Sequence, residues 1–143
     1  MSSTGLAVFE KTLHETNLWL KELMEESGLD SREDAYGALK AVFHALRDRL
    51  GPENAVHLGA QLPILLRGVF YEGWHPAKTP TYERHLRDFL DHLSDRLPPR
   101  LAAEPELAAR SVFNVMWRRI DSGEVAKVIK IMPHELRELW AAT

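Results

Sequence analysis

The strongest constraint on the fold of this chain is an internal repeat. Residues 15–70 align with residues 85–140 at a constant offset of 70 positions and without a gap. A unit that occurs twice must place the same positions in its core twice, so the offset predicts a duplicated architecture. The identical pairs are Leu20/Leu90, Leu23/Leu93, Ala38/Ala108, Val42/Val112, Phe43/Phe113, Arg49/Arg119, Pro63/Pro133, Leu66/Leu136 and Arg67/Arg137.

The repeated unit is predicted to be helical, because its apolar residues recur every three or four positions. In the first helix, Phe9, Leu13, Leu20 and Met24 follow this spacing, and the strand pattern of alternating polar and apolar residues is missing. We expect an all-α fold with four helices per repeat, eight in all, and the two repeats packed about a pseudo-twofold axis. The predicted helices cover residues 6–27, 31–50, 52–60, 63–70, 80–97, 104–120, 121–132 and 133–140, and Tyr82 is placed on the apolar face of the fifth.

The length of the chain favours one domain built from both repeats. The chain has 143 residues, of which 45% are hydrophobic, and neither half is large enough for a sizeable core of its own. We therefore predict a single globular domain over 1–143. It divides into repeat one at 6–70, a linker at 71–80 and repeat two at 81–141.

Composition excludes several classes of protein. The chain has no cysteine, which removes disulfides and thiolate metal sites. Its first residues lack the basic and apolar segments of a signal peptide, and no apolar run is long enough to span a membrane. The net charge of −3 argues against a protein that binds phosphate backbones. We expect a cytoplasmic, bacterial protein without a cofactor.

Several motifs together resemble one bacterial family, the domain of unknown function 2267. They are L-R-D-R-L and M-W-R-R-I at helix ends, L-P-x-x-L-R-x-x-F and M-P-x-x-L-R-x-L-W in the helices that follow, and the connection Y-E-G-W-x-P. The resemblance covers roughly residues 14–140. It implies an all-α, duplicated fold and no particular activity, so no catalytic residue is carried over. The motifs occupy residues 46–50, 116–120, 62–70, 132–140 and 71–76.

One polar triplet has the spacing of metal ligands. His85, Asp88 and His92 lie at positions i, i+3 and i+7 of the fifth predicted helix, which places them on one flank. The alternative is an ordinary solvated face with pairs of charged residues four positions apart. A single helix rarely supplies a complete metal site, so the solvated face is the favoured interpretation.

Two arginine pairs are the charged residues that are identical in both repeats. One hypothesis brings Arg67 and Arg137 together around an anion or a partner carboxylate. The other makes them structural, with the side-chain stem on apolar surface and the guanidinium in a salt bridge. The structural interpretation is favoured, with Glu135 or Glu138 as the expected partner of Arg137. Arg49 and Arg119 fall in last helical turns, where a cation complements the helix dipole.

The linker carries large aromatic residues where a simple spacer would be polar. Tyr71, Trp74 and His75 are candidates for an aromatic ledge that contacts a ligand or a partner, together with Arg67 and Arg137. In the alternative interpretation, Trp74 folds back and seals the seam between the repeats. That structural role is favoured.

A local excess of basic residues is the candidate for contact with nucleic acid. The overall acidity of the chain and the small number of cations argue against this function. The candidate residues are Arg110, Arg118, Arg119, Lys127 and Lys130.

No reaction centre is recognisable in the sequence. It contains neither a G-x-S-x-G nucleophile motif nor a glycine-rich phosphate loop, and no residue is assigned a catalytic role. The leading hypothesis is a non-enzymatic helical module for protein interaction, with a protein partner or a second copy of the chain. The alternative is a small-molecule or metal-binding protein that uses the groove between the repeats.

Overall fold

The described part of the chain is helical throughout. A computed structural model describes residues 4–140; the ends of the predicted domain, 1–3 and 141–143, lie outside them. Within 4–140 there is no strand, and the eight predicted helices are all present, the last as a 3₁₀ helix. The helices are α1 (Ala7–Ser27), α2 (Arg32–Leu50), α3 (Pro52–Gly59), α4 (Ile64–Tyr71), α5 (Leu86–Ser94), α6 (Pro105–Arg119), α7 (Ser122–Ile131) and the terminal 3₁₀ helix (His134–Leu139), with one further 3₁₀ turn at Pro76–Lys78.

The helix boundaries follow from local chemistry. Gly28 ends α1 in the left-handed conformation at φ 78°, which a residue with a side chain rarely adopts. Ser31 caps α2, because its side chain accepts a hydrogen bond from the Asp34 amide at 3.2 Å. Pro52 opens α3 at a position where no amide is needed. Asp121 caps α7 by accepting from the Gly123 and Glu124 amides.

The hydrophobic core contains residues from both halves of the chain at matching positions. Many residues that lie 70 positions apart are both buried. These buried pairs are Trp19/Phe89, Leu23/Leu93, Ala38/Ala108, Val42/Val112, Phe43/Phe113, Leu46/Met116, Leu50/Ile120, Ala55/Val125, Leu58/Val128, Leu62/Met132, Leu66/Leu136 and Phe70/Trp140.

Helices of each half pack on helices of the other half. α1 packs on α2 of its own half and on α6 of the other half. In the same way, α5 packs on α6 and on α2. α2 also contacts α6, and α3 contacts α7. Each half therefore covers part of the apolar surface of the other. None of the helices in the described part of the chain combines the length and hydropathy that crossing a bilayer requires.

The fifth helix is shorter than the sequence predicts. It begins at Leu86 rather than at residue 80, and Tyr82, predicted on its apolar face, is 87% exposed. The preceding segment instead runs along the end of α2. The Thr81 amide donates to the Asp48 carbonyl at 2.9 Å, and Arg49 Nε donates to the Glu83 carbonyl at 2.7 Å. These tertiary hydrogen bonds satisfy backbone groups that a longer helix would have paired internally.

The first half of α1 is the second departure from the predicted pattern. Phe9 and Leu13, which share the apolar stripe of Leu20 and Met24, are exposed. The buried residue of this segment is Thr12, a polar side chain that points at the start of α4. Helical periodicity identifies the stripe, but it does not show how far the neighbouring helices extend along it.

Candidate functional site

An exposed apolar surface extends over the first half of α1 and the start of α4. We call it the α1/α4 patch; its large side chains are 36–53% exposed. The two helices are joined at its centre, because Thr12 Oγ1 accepts a hydrogen bond from the Leu65 amide at 2.9 Å. Val8 and Ile64 line the same surface depression. The patch consists of Leu6, Val8, Phe9, Leu13, Ile64 and Leu65.

Charges of both signs border this patch. Lys11 and Glu15 lie four positions apart on α1 and line the same depression as Val8 and Ile64. Lys11 is exposed and Glu15 is half-buried. An apolar centre with a mixed polar rim is the composition of a protein interface rather than of a catalytic cleft.

The repeated arginines Arg67 and Arg137 act alike, and both bind backbone carbonyls. Arg67 Nε donates to the Gly59 carbonyl at 3.1 Å, and its terminal nitrogen to that of Leu62 at 3.0 Å. Arg137 Nε donates to the Met132 carbonyl at 3.0 Å, and its terminal nitrogen to that of Lys130 at 2.8 Å. Each guanidinium thus binds carbonyls at or just after the end of the preceding helix.

The predicted salt bridges of Arg137 to Glu135 or Glu138 are absent among the contacts of the described residues. Glu135 binds His85 instead, and the carbonyl of Glu138 accepts from Arg110 at 2.6 Å. Hydrogen bonds from an arginine to backbone carbonyls leave no sequence signature beyond the spacing of the arginine. The sequence therefore predicted nearby carboxylates as partners of Arg137.

Arg49 and Arg119 are identical in sequence but have different partners. Arg49 donates to the Glu83 carbonyl, whereas Arg119 forms an ion pair with Glu22 of α1. Hydrogen bonds and charge attraction from Arg119 and Arg118 lower the pKa of the Glu22 carboxyl, against the smaller opposing effect of burial. The structure does not bring the four repeated arginines to one anion site.

The linker aromatics lie against the core. The rings of Tyr71 and Trp74 stack with centroids 5.4 Å apart, and both residues pack partly buried on the core cluster. His75 is exposed. Part of both rings stays accessible.

A residue that sequence reasoning missed holds this linker in place. Arg47 is 3% exposed, and one terminal nitrogen donates to the carbonyls of Phe70 at 3.0 Å and Glu72 at 2.8 Å. Its Nε pairs with Asp48 at 2.8 Å. The repeat gives no signal here, because the residue 70 positions on is Trp117.

The predicted metal ligands do not converge. His85 lies just before α5 and its Nδ1 pairs with Glu135 at 2.8 Å, which raises the pKa of the imidazole. His92 Nδ1 pairs with Glu83 at 2.7 Å, and Asp88 is exposed on α5. Across residues 4–140, no three His, Asp or Glu side chains are grouped in a way that could hold a metal ion.

The candidate basic surface is largely neutralised within the molecule. Arg118 pairs with Glu26 at 2.7 Å and with Glu22 at 3.3 Å, and these carboxylates raise the pKa of its guanidinium. Arg110 pairs with Glu106, Lys127 pairs with Glu124, and Lys130 is exposed. Arginines already bound to carboxylates are poorly placed to neutralise phosphates.

A groove does lie between the halves, between α3 and α7. It has a volume of about 330 Å³ and an apolar floor that includes Leu58, Val128 and Ile131. Its lining contains three pairs that are 70 positions apart: Asn54/Glu124, His57/Lys127 and Leu58/Val128. None of the predicted contact residues Arg67, Tyr71, Trp74, His75 and Arg137 lines it.

Comparison with protein-family models matches residues 16–139 to one family, described as an uncharacterised conserved protein, DUF2267. The match covers most of the chain and agrees with the resemblance in the helix-end and L-P-x-x-L-R motifs. The comparison with curated proteins found no match.

Proposed function

The chain belongs to the DUF2267 family, and we propose that it is a non-enzymatic helical module that forms a homodimer through the α1/α4 patch. The observation that carries the proposal is the patch itself, six large apolar side chains on two neighbouring helix ends. Single exposed apolar residues are common on protein surfaces, whereas several on adjacent helix ends favour an interaction site.

A second copy of the chain fits the rim of the patch. If α1 packs antiparallel on α1 of the partner through the face that carries Val8, Lys11 of each chain approaches Glu15 of the other. A twofold axis brings identical surfaces together, so a rim that carries both charges complements itself. A purely acidic or purely basic rim would favour a different protein.

We further propose that the chain is a tandem duplication whose halves pack about a pseudo-twofold axis. Three observations support this. The buried positions match at an offset of 70, the contacts of α1 with α6 match those of α5 with α2, and residues of equivalent position face each other across the α3–α7 groove. Arg67 and Arg137 also cap equivalent helix ends.

The patch breaks this symmetry, and this supports a closed dimer over an open polymer. The residues equivalent to the first half of α1 lie at 77–85, where the chain is extended rather than helical apart from the end of one 3₁₀ turn. The patch is therefore present once per chain. One self-complementary surface closes a dimer, whereas two would link chains into open polymers.

Oligomeric state in solution tests the proposal. Size-exclusion chromatography with light scattering should give the mass of two chains, with dissociation on dilution. Phe9→Glu and Ile64→Glu place a charge in the interface from two different helices. Each should raise the dissociation constant at least about tenfold, which corresponds to about 1.4 kcal/mol.

Val56→Glu is the matched control. Val56 on α3 is 50% exposed, as is Ile64, but lies outside the patch. It should leave the dimer intact. A monomeric wild-type chain at concentrations of about 100 μM, or equal weakening by all three substitutions, would contradict the proposed interface.

A further inference from the structure

A cleft between α2 and the segment that follows α5 is lined by basic and apolar groups. We call it the α2 cleft. It has a volume of about 470 Å³, within the range of small-molecule sites. Gly37 and Ala41 of α2 face Leu97 and Pro98, which follow α5. The Gly37 backbone approaches so closely that a Cβ there would lie 2.6 Å from Pro98 Cγ, so the two walls of the cleft are in close contact here.

The two cations at the cleft are exposed and form weak ion pairs. Lys40 Nζ pairs with Glu72 at 3.3 Å, and an Arg96 terminal nitrogen pairs with Asp48 at 3.1 Å. Both side chains are about 40% exposed, where ion pairs contribute little and exchange easily. Among residues 4–140, no carboxylate lines the cleft itself.

The remaining lining supplies an aromatic surface and a neutral imidazole. Tyr36 is 40% exposed, and Lys40 Nζ lies 5.9 Å from the centre of its ring. His44 Nε2 donates to the Val69 carbonyl at 2.7 Å. Burial, then the charges of Arg47 and Arg96, lower the pKa of His44 against the opposing effect of that hydrogen bond, so the imidazole adds no charge at neutral pH.

We infer that this cleft binds a small organic anion, with a phosphate or carboxylate group between Lys40 and Arg96 and a flat apolar body against Tyr36. An anion between Lys40 and Arg96 competes with Glu72, whose side chain is exposed, and with Asp48, whose side chain is half-buried. A ring gains the apolar surface of Tyr36 and Pro98. Neither half of such a ligand would bind well alone.

A second cleft provides an internal comparison. It has a volume of about 460 Å³ and is lined by Glu22, Glu25, Glu26 and Arg118, of which Glu26 is equivalent to a residue of the α2 cleft. Glu26 stands 70 positions before Arg96. This cleft is acidic and lacks an aromatic side chain in its lining, so an aromatic anion should select the α2 cleft over it.

Titration of the full-length chain with phenyl phosphate, followed by amide chemical shifts in NMR, tests the inference. We expect saturable binding with a dissociation constant of about 1 mM or tighter, with the largest shifts at Gly37 and its neighbours. Inorganic phosphate lacks the ring, and benzyl alcohol lacks the charge. Each should bind at least about tenfold more weakly.

Lys40→Gln and Arg96→Gln should each weaken phenyl phosphate binding about tenfold, while circular dichroism confirms the fold. Lys127→Gln removes an exposed cation that is paired on α7 and should leave binding unchanged. The inference is overturned if phenyl phosphate does not saturate the protein, if inorganic phosphate binds equally well, or if Lys127→Gln weakens binding as much as the cleft variants.

Discussion

At the scale of single residues, the repeated arginines show how one side chain can stabilise two elements. Arg67 and Arg137 reach back to carbonyls that the preceding helix leaves unpaired. A hydrogen bond to a charged donor contributes more than a neutral one, and an unpaired buried carbonyl is costly. The conserved spacing of the L-P-x-x-L-R and M-P-x-x-L-R motifs within this chain therefore has a structural cause.

Removal of either guanidinium should destabilise the fold. Arg67→Met and Arg137→Met keep the apolar stem but lose the hydrogen bonds, and each should lower the free energy of unfolding by about 1–2 kcal/mol. Urea denaturation measures the change. Arg87→Met is the control, because Arg87 is exposed on α5 and should change stability by less than about 0.5 kcal/mol. Equal effects at all three positions would show that loss of charge, not of the caps, is responsible.

At the scale of elements, two glycines in helices differ in what surrounds them. Gly37 in α2 lies against the ring of Pro98, whereas a Cβ at Gly68 in α4 would have nothing within 4 Å. Glycine within a helix destabilises the fold relative to alanine, because it loses more conformational freedom on folding. It is favoured there only where close packing leaves no room for a Cβ. Of these two glycines, Gly37 is the one whose close packing excludes a Cβ.

Substitution by alanine should therefore have opposite effects at the two glycines. Gly68→Ala should stabilise the protein by about 0.5–1 kcal/mol. Gly37→Ala should destabilise it by about 1–3 kcal/mol, because the rigid proline ring must move. Urea denaturation of both variants provides the comparison. Stabilisation by Gly37→Ala would mean that the contact between α2 and the segment after α5 is loose.

The elements also show what sequence reasoning can reach. Caps at Gly28, Ser31 and Asp121 are local, so the helix ends that depend on them were predictable. The start of α5 was not, because the extended segment before it is held by Asp48 and Arg49, more than thirty residues earlier. Similarly, the pattern of α1 identified Phe9 and Leu13 as apolar but not as exposed. The α1/α4 patch was missed for that reason.

At the scale of the whole molecule, the halves share one core. α1 needs α6, and α5 needs α2, to cover their apolar faces. Two elements that bury the same surface cannot unfold separately without exposing it to water. The 45% of hydrophobic residues predicts a core. The repeat does not predict these contacts between the halves, because the offset of 70 does not say which copies of a helix are in contact.

Unfolding should therefore be a single cooperative transition. Trp19 lies in the first half and Trp140 in the second, and both are buried. After incorporation of fluorotryptophan, their two native ¹⁹F signals should disappear at the same urea concentration. Far-UV circular dichroism should follow the same curve. Loss of the Trp140 signal before that of Trp19 would show that the halves fold independently.

The ion pairs between the halves have reversed polarity. Asp48 of α2 binds Arg96, whereas at the equivalent positions Arg118 of α6 binds Glu26. Pairing of two first halves would set Asp48 against Glu26, and pairing of two second halves would set Arg118 against Arg96. Both mismatches place like charges together, so each half disfavours a copy of itself and accepts its complement. The polarity therefore selects one first half and one second half for each shared core, whether or not both belong to the same chain.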